Sequence, residues 1–307
     1  MQNYLIKNIS IVNEGLIQQC DVLVKNERIE KILPQILHAN GNVKEINGEG
    51  KFLFPGAIDD QVHFREPGLT HKATIYTESK AALAGGVTSF MEMPNTIPPA
   101  FTQELLENKY NIASQTSLAN YSFYMGTSND NADEVLKTNK KKNDVCGIKI
   151  FMGSSTGNLL VDNPSTLDKI FSKSELLIAT HCEDERIIKQ NFEKLKAEKK
   201  ELTAADHPVI RNEEACFESS LKAIQLAKKY NTRLHILHIS TEKELQLFSN
   251  PASAGPLKEK RITAEVCVHH LHFTSDDYKR LGNQIKCNPA IKSPNNKEAL
   301  WKALLDD

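Results

Sequence analysis

The chain has 307 residues, 40% of them hydrophobic and 7% aromatic, enough for one large domain beside a smaller one. With 38 Lys and Arg against 39 Asp and Glu the net charge is -1, which excludes a global field that recruits nucleic acid or an acidic membrane. No apolar run reaches a membrane span, the N-terminus lacks a signal-peptide core, and the six cysteines contain no Cys-x-x-Cys pair; together these predict a cytoplasmic chain without disulfides.

Residues 3–54 read as short strands. The run from Tyr4 to Val12 alternates in part, Asn13-Glu14-Gly15 turns, and Cys20 to Leu33 follows with a second turn near Asn26-Glu27. This small β domain is assigned to residues 1–55, and Pro55-Gly56 marks the crossing out of it. Beyond it, short apolar runs alternate with helical patterns. The spacing predicts strands over 56–62, 88–93, 120–125, 147–151, 176–181, 233–239 and 263–268. It predicts helices over 74–84, 102–114, 130–137, 164–173, 184–200, 212–230 and 242–249. Lys140-Lys141-Lys142 and the lysine-rich stretch 194–200 read as solvated faces or loops. Strand–helix alternation argues for parallel βαβ units, and the simplest architecture for residues 56–307 is a (β/α)8 barrel. Seven strands are legible, so the barrel reads as truncated before strand eight. An open doubly wound sheet is disfavoured, because no Gly-rich phosphate turn follows the first strand.

The chemistry gathers at the strand ends. In Ile58 to Gly68, strand alternation would put Asp59, Gln61, His63 and Arg65 on one face and Val62 and Phe64 on the other. A polar set at the end of a buried strand is costly unless it binds something. Later runs end in Asn95, Lys149, His181 with Glu183, His238 with Ser240 and Thr241, His269-His270, and Asn288. In a barrel those ends form one face. One histidine there is most simply a satisfied structural residue. Three, at positions 63, 181 and 238, favour a metal, since neutral imidazole suits zinc. Lys149 taken alone reads as a side chain reaching solvent at its strand end.

Read together, these segments resemble the dihydroorotases of the amidohydrolase superfamily. The motifs are Pro55 to Gly68, Ala84-Gly-Gly-Val-Thr88, Met93-Pro-Asn-Thr96, Gly147-Ile-Lys-Ile-Phe151, Thr180-His-Cys-Glu183, Leu237-His-Ile-Ser-Thr241, Glu265 to Leu271 and Lys286-Cys-Asn-Pro289. The nearest likeness is to bacterial enzymes with Asp-Asp-Gln-Val-His in the first strand. The resemblance implies a metal-dependent amidohydrolase-type (β/α)8 barrel with a small β domain. It also implies reversible cyclisation of N-carbamoyl-L-aspartate to L-dihydroorotate in pyrimidine biosynthesis. It implies one or two Zn2+ ions held by His63, Lys149, His181 and His238, with Lys149 N6-carboxylated. Arg65 and Asn95 would hold the substrate carboxylate and Asn288 the ring. The partner is a small-molecule substrate, with a homodimer as one open assembly state.

Two departures qualify the resemblance. Gln61 stands where the family pattern His-x-His has its first histidine, and an amide oxygen is a poor zinc ligand. The family's catalytic aspartate follows strand eight, which this chain does not reach; Asp306 and Asp307 follow no apolar strand and are not assigned its role. The expectation is therefore a chain inactive on its own. Two rivals stand beside this reading. One is a sister cyclic amidase, an allantoinase or hydantoinase, against which Arg65 speaks. The other is a catalytically inactive scaffold for a partner such as aspartate carbamoyltransferase, against which the retained histidines and Lys149 speak.

Overall fold

The computed structural model describes residues 2–153, 157–248 and 260–306. They fall into two compact units, Met1–Ile58 with Gly86–Thr88, and Asp59–Gly85 with Ser89–Asp307.

The first unit is built on a five-stranded sheet. Strands β1 (Asn3–Asn13), β2 (Leu16–Lys25) and β3 (Arg28–Leu33) form an antiparallel meander, while β4 (Val43–Asn47) and β5 (Phe52–Leu53) pair parallel to β1. Both hairpins close over two residues with positive φ, Glu14-Gly15 and Asn26-Glu27. That conformation matches the twist of the flanking strands. The sequence pattern located both turns. It did not separate β4, whose residues are mostly exposed and carry little alternation. Gly56 is obligatory: a Cβ there would stand 2.1 Å from Thr88 Oγ1.

The second unit carries seven strands in sequence order: β6 (Ala57–Val62), β7 (Val87–Glu92), β8 (Asn120–Gly126), β9 (Gly147–Met152), β10 (Ile178–Cys182), β11 (Leu234–Ile236) and β12 (Ile262–Ala264). The pairings run parallel from β7 to β12. The crossover helices are α1 (Ile75–Ala84), α2 (Gln103–Thr116), α3 (Ala132–Leu136), α4 (Pro164–Lys173), α5 (Glu185–Glu198), α6 (His207–Ile210), α7 (Glu213–Tyr230) and α8 (Glu242–Leu245). Thr74, Thr102, Asn163, Asp184, Asn212 and Thr241 cap their helices by accepting from a backbone N–H of the first turn. Predicted helices near these positions are present. The seventh predicted helix runs to Ser249, which lies outside the described residues.

Alternation along the strands sorts two faces. Phe90, Phe123, Ile148, Ile150, Ile178 and Ile236 join Ile75, Leu106, Leu167, Phe171 and Ile224 in the core between sheet and helices. Each such aliphatic or aromatic side chain contributes about 1.5–3 kcal/mol by leaving water. The opposite face holds a small apolar cluster, Met93, Tyr124, Ala179 and Leu237. Register aligns Gly126, Lys149, Ala179, His235 and Thr263 across five strands. Side chains from the two ends of the strand order meet: Asp60 Oδ2 lies 3.5 Å from His235 Nε2, and the Cys267 thiol donates to Gln61 Oε1 at 3.4 Å. The sheet is thus curled, as a partial barrel is.

Two expectations need correction. The last two strands are shorter than predicted, and Val268 belongs not to a strand but to the short helix Val268–His272. Periodicity cannot separate a short apolar strand from a turn of helix. Arg65 also leaves the strand alternation. Its φ is 69°, after β6 has ended at Val62.

Candidate metal centre and substrate site

His181 is the last residue but one of β10, with both ring nitrogens engaged. Its Nε2 lies 2.9 Å from Glu183 Oε2, so that nitrogen carries the proton and donates. Glu183 also accepts from Arg211 Nη1 at 2.6 Å. Burial alone would raise the Glu183 carboxyl, but the His181 bond and the Arg211 and Lys292 charges outweigh it and hold it below the usual range. The other nitrogen, His181 Nδ1, faces His238 Nε2 at 3.1 Å. Because His181 Nδ1 must accept, His238 Nε2 donates. His238 Nδ1 is then a bare lone pair, buried and without a hydrogen-bond partner among the described residues.

His238 follows β11 with φ 41°, and its backbone N–H donates to Glu265 Oε1 at 3.1 Å. Burial lowers its pKa well below the ordinary histidine value, and His181, Lys149, His270 and His63 push the same way. His181 is lowered by burial too. Both rings are neutral, the form that binds metal.

His63 lies beyond β6. Asn95 Oδ1 can only accept, so His63 Nδ1 at 2.8 Å carries the proton and Nε2 is the free lone pair. That lone pair is met by the Gln61 amide, Nε2 to Nε2, at 3.3 Å. Burial lowers the His63 pKa to about 4, with Arg65 and Lys149 acting in the same direction.

Lys149 is sealed inside β9, 1% exposed. Its Nζ donates to Ile150 O at 3.1 Å and lies 4.0 Å from the Phe151 ring centre. Burial pulls its pKa down to about 7. The reading of Lys149 as a side chain reaching solvent is therefore wrong. Strand β9 is buried along its whole length, and the Lys149 side chain stays inside it.

His181 and His238, whose facing nitrogens lie 3.1 Å apart, and His63 and Lys149 offer donor types that a divalent cation takes. Three imidazoles and a buried amine whose pKa is pulled to about 7 lie close enough to act on one another electrostatically, and His238 Nδ1 has no hydrogen-bond partner among the described residues. The hydrogen bonds of Glu183 to His181 and of Asn95 to His63 fix each ring's tautomer, as outer groups do around metals. Gly153 lets the end of β9 pack against the Glu183 backbone: a Cβ there would lie 1.8 Å from Glu183 O.

The remaining predicted residues divide. Arg65 lies close enough to His63 to depress its pKa. Its turn is held from beneath, since Glu92 accepts the backbone N–H groups of Phe64 and Arg65 and ion-pairs with Lys109. Asn95 spends its carbonyl oxygen on His63. Asn288 Oδ1 lies 3.1 Å from His207 Nε2, a nitrogen that also faces Cys287 O at 2.8 Å. His207 was not singled out from the sequence. Neither was Arg211, nor the cluster of Asp60, His235 and Glu265, in which burial and the Glu265 carboxylate raise Asp60 to about 6. An acid inside the apolar run Ser89-Phe-Met-Glu-Met was the available signal that Glu92 needs a partner.

Residues 50–244 match the family model described as dihydro-orotase-like. The chain is 29% identical over 309 residues to an allantoinase of Deinococcus radiodurans, covering 98% of this chain and 66% of that protein. It is 30% identical over 302 residues to a dihydroorotase of Staphylococcus epidermidis, covering 98% and 69%. Its structure is similar to an L-hydantoinase (dihydropyrimidinase) from Arthrobacter aurescens, with a TM-score of 0.90, 26% identity, and coverage of 99% and 67%. The chain thus spans about two thirds of the length of the relatives it matches. Motif order, curled parallel sheet and family match agree, and the chain belongs to the dihydro-orotase-like family.

Proposed function

We propose that this chain forms the metal-binding barrel of a cyclic amidase and that the substrate is L-dihydroorotate, interconverted with N-carbamoyl-L-aspartate. The observation that carries the reading is the convergence of neutral His63, His181 and His238 with buried Lys149, beside the Arg65 guanidinium. One or two divalent ions, zinc by donor type, would be held among these four residues, and would supply Lewis acidity and an activated water at neutral pH.

The chain's own groups do the rest. Lys149 is uncharged in part near pH 7, and a free amine is what carbon dioxide needs. The nitrogen adds to carbon dioxide and releases one proton, leaving an anionic carbamate oxygen donor. Glu183 and Asn95 fix the protonated nitrogens of His181 and His63, so each ring's other nitrogen, now facing His238 or Gln61, is the one an ion would take. Arg65 offers a planar, two-pronged donor to a carboxylate and orients the ring that bears it.

Arg65 also supports dihydroorotate over the alternatives among the relatives' names. Allantoin and simple hydantoins carry no carboxylate for a guanidinium to pair with. The test is calorimetric binding to the zinc-loaded chain. L-Dihydroorotate is expected to bind at least about tenfold tighter than allantoin, a difference of about 1.4 kcal/mol, and Arg65→Met should erase that preference. Equal affinity for the two ligands in the unaltered chain would overturn the assignment.

A further inference from the structure

The His269-His270 pair supplies no proposed ligand to the site described above, although His270 lies close enough to His238 to lower its pKa. Cys267 precedes it, at the start of the short helix Val268–His272. One donor atom from each of Cys267, His269 and His270 lies within 4.8 Å of the other two. The two rings stand 4.4 Å apart, centre to centre.

His270 is buried, and its Nε2 faces Pro289 O at 3.1 Å. A carbonyl only accepts, so that nitrogen carries the proton. His270 Nδ1 is then a bare lone pair, buried and without a hydrogen-bond partner among the described residues. A backbone carbonyl fixing one imidazole nitrogen while the other stays free is the usual outer support of a metal-bound histidine. The Cys267 thiol has only Gln61 Oε1 to donate to, at 3.4 Å, among the contacts of the described residues. Gln61 thus bonds to Cys267 on one side and to His63 on the other.

We propose that Cys267, His269 and His270 form a thiolate–imidazole site for a thiophilic divalent cation such as Zn2+. One sulfur and two nitrogens leave a fourth tetrahedral position open. The set shares no residue with His63, Lys149, His181 and His238, and it places a soft donor beside the position where Gln61 offers only an amide. Binding replaces the thiol proton, so one proton leaves per ion bound at Cys267.

The test uses the full chain loaded with Co2+. The imidazole–lysine set holds no sulfur, so a thiolate-to-cobalt charge-transfer band in the near ultraviolet reports on this site. The band is expected in the unaltered chain, lost in Cys267→Ser and kept in Cys287→Ser. His269→Ala should weaken the cobalt binding that carries the band by about tenfold or more. Iodoacetamide labelling of the unaltered chain, read by peptide mass, needs no variant: Zn2+ should shield Cys267. Cobalt bound without a sulfur band, a band that survives Cys267→Ser, or equal labelling of Cys267 with and without Zn2+ would overturn the proposal. Cobalt held by imidazole alone would still show its visible bands, so these failures leave the amidase reading to its own test.

Discussion

Glu183 Oε2 lies 2.9 Å from His181 Nε2 while the same oxygen takes Arg211 Nη1 at 2.6 Å, and the carboxylate is completely enclosed. An anion this deep is stable only because both partners are in place. The pair sets which His181 nitrogen faces His238. Glu183→Gln keeps the shape but weakens the acceptor and leaves the Arg211 charge less compensated. Zinc affinity is expected to fall about 10–100-fold, the usual effect of losing an outer support. Isothermal titration with Zn2+ checks this, and an unchanged dissociation constant would show that His181 is oriented by something else.

A second buried pair acts on Arg65 at one remove. Lys109 and Glu92 are each 1% exposed, and Lys109 Nζ also donates to Met93 O at 2.9 Å. Burial pushes each toward its neutral form, lowering Lys109 and raising Glu92. Lys109→Met strands the acid and should cost about 3–5 kcal/mol, whereas adding Glu92→Gln should recover much of that loss. Urea unfolding of the single and double variants tests it. Equal stabilities of the two would mean that the pair is not coupled.

The pH dependence of stability follows from Lys149 in the metal-free protein. Folded, it loses its proton near pH 7; unfolded, it keeps it to about 10.5. Between those values the unfolded chain binds more protons, so the Lys149 contribution becomes less unfavourable as pH rises. Below pH 7 both states are protonated and the penalty is largest and constant. Lys149→Met should therefore stabilise the metal-free chain most at pH 6, with the gain shrinking steadily toward pH 10. Thermal unfolding of both proteins at several pH values measures this; a gain that grows with pH would contradict the shift.

Part of the proposed centre follows strand periodicity: His181 lies near the end of β10, and His63 and His238 lie just past β6 and β11. Lys149 does not end its run as expected: it is third of the six residues of β9, with Ile150, Phe151 and Met152 after it. What was not legible depends on contacts that spacing does not encode. Asp60 meets His235 and Glu265 only because the sheet curls until its end strands approach. Arg211 reaches Glu183 from beyond α6, across 28 positions. Asn95 read as a substrate group because its motif carries that meaning; the bond of its carbonyl oxygen to His63 showed only in the fold. The short helix after β12 escaped because five residues carry too little periodicity to compete with an apolar run.

Gln61 is the natural place to perturb the centre gently. Its amide lies 3.3 Å from His63 Nε2 and accepts from Cys267. Gln61→His would give two imidazoles two residues apart, and zinc is expected to bind more tightly by titration. No change in affinity would place position 61 outside the coordination sphere.

The most direct test of the account is the zinc content of three variants after equilibrium dialysis, with folding checked by circular dichroism. Imidazole and a lysine-derived carbamate are stronger ligands than an amide. The account predicts that Lys149→Ala and His238→Ala lose the zinc bound at this centre while Gln61→Ala retains it, and that short carboxylic acids partly restore zinc to Lys149→Ala. Zinc lost from Gln61→Ala but retained by Lys149→Ala would contradict it.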